Sequence, residues 1–314
     1  MAVSADNLTD LVRLKWTEWF EGPVPDAISW VLAGTGRPIA DAAVMLFAFG
    51  PGSHRPFLVA KVNRDRVRSD VIQGEFVHQR KAFDLTLSEW AGTVPRPLGS
   101  FDIGGDLYAF SQYVESDTSW NDGSPDWKRA MELELVDWLA ALHEASKRPT
   151  AEPDLHAVRS IAETFTDIFD PGASVRNVLG EAAEIMCQEH SGGSDSILVH
   201  GDFWPGNWIF HDNQFAVVDW EHARHSSSPA LDEFLYPLSV LTDLDNLRDS
   251  SRVTHFSDLY RDSRGIPRRS RSDAFAAALW VSAEVATRTY RRWGVIEDWS
   301  HRWGRVTSAL APWV

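Results

Sequence analysis

A polar stretch from Thr118 to Pro125, carrying Asn121, Asp122, Gly123 and Ser124, separates two kinds of apolar pattern in this 314-residue chain. Turn formers cluster at boundaries because they break both helices and strands. Upstream, the apolar runs are short: Ile28 to Leu32, Ala43 to Phe49, Pro56 to Val62, Val94 to Phe101 and Leu107 to Phe110. Runs of that length, bounded by Gly and Pro, read as strands. Downstream the period is helical. Met131, Leu135, Leu139 and Leu142 lie on one face of a helix from Trp127 to Ser146, with Asp126 as its expected N-cap. Further helical segments run from Ala157 to Phe169 and from Val175 to His190. The chain therefore reads as α+β, with a strand-rich region at 1–115 and a larger, mostly helical one at 116–314.

Two helices accompany the strands. Asp6 to Phe20 reads as amphipathic, with Leu8, Leu11, Leu14 and Trp19 among its apolar positions. Asp70 to Asp84 reads as a second, packed through Ile72, Phe76 and Phe83. In the strand Leu58-Val59-Ala60-Lys61, alternation puts Val59 and Lys61 on one side. Two glycines, Gly34 and Gly36, join the first two strands and by themselves specify only a turn.

The densest chemistry is His200-Gly201-Asp202-Phe203-Trp204-Pro205-Gly206-Asn207, followed by Asp219-Trp220-Glu221. Ile197 to Val199 reads as a buried strand entering this loop. Trp208 to Phe210 and Phe215 to Val218 read as a hairpin that carries Asn207 and Asp219 to one end. Phosphoryl transfer from ATP needs such a set: a carboxylate for the attacking hydroxyl, and an amide and a second carboxylate for Mg²⁺.

At these residues the chain resembles the aminoglycoside phosphotransferase and choline kinase superfamily, small-molecule kinases with a protein-kinase-like fold. Its catalytic loop has the form His-Gly-Asp-x-x-x-x-Asn, and its metal segment is an apolar run into Asp-Trp/Phe-Glu; both are matched here without gaps. The resemblance implies a two-lobed fold and an ATP- or GTP-dependent O-phosphotransferase acting on a small hydroxylated acceptor. Asp202 would be the catalytic base or hydroxyl orienter, and Asn207 and Asp219 the Mg²⁺ ligands. Lys61 would reach the phosphates, held by a carboxylate for which Glu75 is the best candidate. Val59 and Ile209 would sandwich the adenine, and the backbone of Gln112 and Val114, in a hinge from Ser111 to Glu115, would meet its edge. The loop Gly34 to Pro38 would lie over the phosphates. His143 and Asp232 fit structural positions, Asp232 bracing the catalytic loop. The chain departs from the family's Asp-Pro pair at Ser228-Pro229, which touches local loop contacts rather than the chemistry.

Composition narrows the partners. The formal charge is -15, so the chain is a poor nucleic-acid binder, and the basic cluster Arg264 to Arg271 reads as a solvated loop. The acidity with only five lysines fits a halophilic or high-GC proteome better than substrate steering. No ~20-residue uncharged apolar span and no signal-like N-terminus are present, and the single Cys187 fits a reducing cytoplasm. From Phe275 onward Glu284, Glu297 and Asp298 face Arg288, Arg291, Arg292, Arg302 and Arg305. That balance favours a sugar or sugar derivative over an aminoglycoside or choline-type cation as acceptor. Trp280, Trp293, Trp299, Trp303 and Trp313 read as gap-filling core. Two rivals of another class remain: a metal-dependent hydrolase built on His200, Asp202, His222 and His225, and a catalytically silent nucleotide-binding module.

Overall fold

The computed structural model describes residues 5–34, 43–63, 69–86, 89–149, 154–192, 195–240, 250–293 and 298–313. The chain folds as two compact units: Met1–Asp122 with Asn207–His222, and Gly123–Gly206 with Ala223–Val314. A single cut at 115/116 does not reproduce them, because residues 207–222 group with the first unit.

In the first unit, strands β1 (Ser29–Gly34), β2 (Ala43–Phe49), β3 (Pro56–Asn63), β4 (Pro97–Ile103) and β5 (Asp106–Gln112) form an antiparallel sheet of order β1-β2-β3-β5-β4. Helix α1 (Ala5–Trp19) covers one face through Leu8, Val12, Trp16 and Trp19. That spacing of four, four and three is one helical stripe. It corrects the expected face: Leu14 is 75% exposed, whereas Val12 and Trp16 are buried. On β3 the side chains of Leu58, Ala60 and Val62 enter this core, so Val59 and Lys61 face the other way. Helix α2 (Ser69–Thr86) buries Ile72, Glu75, Gln79, Ala82 and Thr86. Phe76 and Phe83 are only half-buried, so the packing face predicted from its apolar residues is rotated toward Glu75.

The hairpin of β8 (Trp208–His211) and β9 (Gln214–Val217) belongs to this unit and is tied to it by backbone bonds. Thr118 bridges Phe210, Asp117 N–H donates to Phe210 O at 3.1 Å, and Val217 N–H donates to Thr93 O at 2.8 Å. Asp212 and Asn213, at φ 49° and 60°, turn the hairpin; two successive left-handed residues match the twist of paired strands.

The second unit is mostly helical, built from α3 (Pro125–Ala145), α4 (Leu155–Phe169), α5 (Ala173–Gly192), α6 (Ala230–Val240), α7 (Ser250–Ser263), α8 (Arg271–Trp293) and α9 (Asp298–Leu310). A small sheet of order β10-β7-β6 joins β6 (Arg148–Pro149), β7 (Asp195–Val199) and β10 (Arg224–Ser226). The N-cap of α3 is Ser124, whose side chain accepts from Trp127 N–H, with Pro125 at the first turn; Asp126 lies inside the helix. Helix α8 is buried along Ala274–Val281 among α4, α5, α6 and α9. Trp280 and Trp303 are core residues, as expected. The basic cluster departs from the expected solvated loop. Arg269 is buried, within 2.8 Å of Glu189 and 2.9 Å of Glu233, while Arg264 meets Glu144 and Arg268 meets Asp262. Among the described residues no helix is long and apolar enough to cross a membrane.

Candidate active site

The first unit concentrates charge around Lys61. Its Nζ lies 2.9 Å from Glu75 Oε1, 2.7 Å from Glu75 Oε2 and 2.7 Å from Asp219 Oδ1. Glu75 comes from the buried stripe of α2, which packs on the single 3₁₀ turn Trp220–His222. Asp219 precedes that turn at φ 64°, a left-handed conformation that Asp tolerates better than most side chains. Trp220, fully buried, pins the turn by donating from Nε1 to Val217 O at 3.1 Å. Oxygens of Glu75, Asp219 and Glu221 lie within 4.8 Å of one another.

Three carboxylates thus surround one ammonium. Burial alone would pull the Lys61 pKa down, but Asp219, Glu75 and Glu221 outweigh it and hold it above its ordinary value. Burial pushes Glu75 up to about 7, helped by Asp219 and Glu221 and opposed by Lys61. A crowded carboxylate set with one cation is short of positive charge, and its hard oxygens suit Mg²⁺. Asn207, buried, is tied to the same segment by the Val218 N–H bond to its carbonyl, 3.0 Å. Glu221 therefore stands beside the expected ligand Asp219.

Val59 and Ile209 are both half-buried, each between neighbours that enter a core: Leu58 and Ala60, and Trp208 and Phe210. Gln112 ends β5, its N–H donating to Arg96 O at 2.9 Å, and Tyr113 N–H reaches Phe57 O at 3.3 Å. Val114 follows, half-buried. Of the expected phosphate loop, Thr35 to Pro38 lie outside the described residues.

The second unit holds Asp202. Fully buried Asp232, in the first turn of α6, accepts from His200 N–H at 2.7 Å and Gly201 N–H at 2.8 Å. His143 Nε2 lies 3.2 Å from the same carboxylate, and its Nδ1 2.7 Å from Tyr260 Oη, which accepts from Arg264 at 2.8 Å. Burial pushes Asp232 up, yet His143, His200 and the Gly201 N–H hold it below the usual carboxylate range. Gly201, at φ 75°, supplies the left-handed residue that lets both loop N–H groups meet one carboxylate.

Both oxygens of Asp202 have donors. Arg288 of α8 places one guanidinium nitrogen 2.9 Å from Oδ1 and another 2.7 Å from Gly201 O; Trp204 Nε1 donates to Oδ2 at 3.2 Å. Asp202 N–H meets His200 Nδ1 at 3.2 Å, so His200 scaffolds the loop. A Cβ on Gly206 would stand 2.4 Å from the Trp204 ring, which explains glycine there. No sequence signal marks Arg288 for this role, since it is one of several arginines and lies 86 residues from Asp202. Among the described residues, the side-chain groups able to share a cation are the Glu75 set and the set Asp117, His211 and Asp212. Neither contains the His200, Asp202, His222 and His225 of the hydrolase reading.

Residues 75–227 match the sequence model of the phosphotransferase enzyme family, a span that runs from Glu75 past the catalytic loop and Asp219. By sequence alone, no curated protein matches the chain. Solved structures similar to it include choline kinase from Cryptosporidium parvum Iowa II, at TM-score 0.61 and 11% identity over 98% of this chain and 95% of that one. Spectinomycin phosphotransferase APH(9)-Ia, in complex with ADP and spectinomycin, aligns at TM-score 0.56 and 10% identity over 99% and 98%. The streptomycin–ATP complex of APH(2")-IIa aligns at TM-score 0.53 and 15% identity over 99% of both chains. The family match and these folds bear out the resemblance to small-molecule phosphotransferases and the kinase-like α+β architecture.

Proposed function

We propose that this chain is an ATP-dependent small-molecule O-phosphotransferase of the cytoplasm whose acceptor is a sugar or sugar derivative. The carrying observation is Lys61 bracketed by Glu75 and Asp219 with Glu221 alongside. In this reading Lys61 binds the nucleotide phosphates, Asn207 and Asp219 hold Mg²⁺, and Glu75 keeps the ammonium in place. Bound there, the ion would neutralise charge on the phosphates. Val59 and Ile209 flank the adenine, and the backbone at Gln112 and Val114 meets its edge.

Asp202 orients the acceptor hydroxyl and takes its proton as the new oxygen–phosphorus bond forms. The bond from the γ-phosphorus to the bridging oxygen breaks, and ADP leaves. Arg288 and Trp204 fix the carboxylate in one rotamer, so orientation costs nothing at the moment of reaction. A non-cationic acceptor is supported by Glu284: it is buried and lies 2.5 Å from Arg224, so it is committed to a protein cation.

Asp202→Ala should lower kcat about 10²–10⁴-fold, the scale of a positioned acid or base, while leaving nucleotide affinity unchanged. Asp219→Ala should raise the Mg²⁺ concentration needed for turnover or abolish turnover. Steady-state kinetics with a metal titration read both. An unaltered kcat in folded Asp202→Ala protein sinks the assignment.

A further inference from the structure

Helix α8 presents three residues at successive four-residue steps: Trp280, Glu284 and Arg288. Arg288 grips Asp202, Glu284 pairs with Arg224, and Trp280 walls a cavity of about 630 Å³ in the second unit. At 1.5 Å of rise per residue, Trp280 stands about 12 Å along the helix from the Asp202 clamp. The volume is that of an ordinary small-molecule pocket.

Its lining is chemically uneven. Val158, Ile161 and Pro149 supply an apolar wall beside the Trp280 ring, whose Nε1 is spent on Val158 O at 3.1 Å. The polar lining is rich in donors. Arg148 uses Nε on Ser196 Oγ at 3.3 Å, and its two terminal nitrogens take no partner among the described residues. Arg224 gives one nitrogen to Glu284 and also lines the cavity. Ser226 and Ser227 add hydroxyls. The one lining carboxylate, Asp154, caps α4 by accepting Ala157 N–H at 2.9 Å.

His190, only 8% exposed, is the complement. Its Nδ1 lies 2.7 Å from Met186 O, so that nitrogen is the donor and Nε2 carries the lone pair. Burial holds the ring below its ordinary pKa, in keeping with a neutral imidazole. Among the described residues Nε2 takes no partner. Nε2 is not closed off from solvent, so it can accept from water or from a ligand hydroxyl in the cavity.

We propose that this cavity is a binding site for an anionic hydroxylated small molecule such as a sugar phosphate or sugar acid, its phosphate or carboxylate held by Arg148 and Arg224 and a hydroxyl donating to His190 Nε2. The proposal stands on the cavity's own residues and not on the phosphotransferase reading: about 12 Å along α8 from the Asp202 clamp, this ligand is not the acceptor whose hydroxyl meets Asp202. Forked guanidinium groups match phosphate and carboxylate geometry.

Calorimetry on the nucleotide-free chain tests it, with glucose 6-phosphate, glucuronate and glucose as probes. At least one anionic probe should bind ten-fold or more tighter than glucose. Arg148→Gln should remove that preference, and Ala157→Trp, which fills the cavity wall, should abolish binding of all three; thermal melts check that both variants fold. Equal affinity for glucose and both anions, no binding of either anion, or unchanged affinity in the two variants would overturn the proposal. ATP binding with Mg²⁺, measured on the same samples, reports separately on the phosphotransferase reading: its loss would leave the anion result readable, and its presence would not rescue a failed one.

Discussion

Glu75 answers two opposed demands. It must stay near Lys61, yet Asp219 and Glu221 crowd the same ammonium. Burial therefore raises its pKa to about 7 from an ordinary 4.5. A raised folded pKa means that the native chain binds this proton more tightly than the unfolded one. The stability it contributes is full below about pH 4.5 and is lost as pH rises through about 7. At ~1.4 kcal/mol per unit, the swing is at most about 3.5 kcal/mol. Glu75→Gln removes the titration, so wild type minus variant stability should decline across that window in nucleotide-free protein. Urea unfolding at stepped pH reads it; a flat difference between pH 5 and 8 would show that Lys61 keeps Glu75 ionised throughout. The Lys61–Glu75 contact was legible through the family resemblance, which asks for a carboxylate partner to Lys61 and leaves Glu75 on the next helix as the best candidate. The Arg288–Asp202 contact was not, since nothing local ties a residue of α8 to a loop 86 positions earlier.

At the scale of elements, existence was easier to read than facing. The β2 strand was expected at Ala43 to Phe49, where it lies, and the hairpin turn at 211–214 fell where its Asp-Asn pair required. Helix α1 was expected with Leu14 on its buried face, yet the stripe runs Leu8, Val12, Trp16 and Trp19. Apolar residues outnumber the positions one sheet face can cover, and only packing chooses among them. Trp16 shows the choice: it packs on Phe20 at 4.7 Å and Phe57 at 5.4 Å between ring centroids, and donates to Gly22 O at 3.1 Å. Trp16→Ala should cost about 3–5 kcal/mol, the usual range for deleting a core aromatic. Leu14→Ala should stay within about 0.5 kcal/mol, as surface changes do. Equilibrium unfolding of both variants decides; equal losses would mean that α1 is rotated from this arrangement. The buried stripe of α2 teaches the same point from the polar side. Glu75 and Gln79 are buried because they have partners, Gln79 donating to Pro95 O at 2.8 Å, and no hydropathy pattern announces a satisfied polar group.

For the whole molecule the governing quantity is the charge of -15. The basic cluster from Arg264 to Arg269 is spent internally on Glu144, Asp262, Glu189 and Glu233, and Arg159 on Glu184. Cations consumed in this way leave the excess acid to face solvent, where like charges repel and weaken the compact state. The same field would oppose the approach of any anionic ligand, so local cations such as Lys61, Arg148 and Arg224 would act on one only at short range. Potassium chloride should therefore raise the melting temperature, since the screening length falls from about 10 Å at 0.1 M to about 3 Å at 1 M. The shape of the curve identifies the cause. Screening acts most strongly at the first few tenths molar and then saturates, whereas preferential exclusion of salt from the protein surface grows steadily with concentration. A melt series from about 10 mM to about 2 M KCl should rise early and level off. A straight rise would assign the effect to exclusion. A fall would mean that the ion pairs screened are worth more than the repulsion relieved, and the acidic surface would then need another explanation.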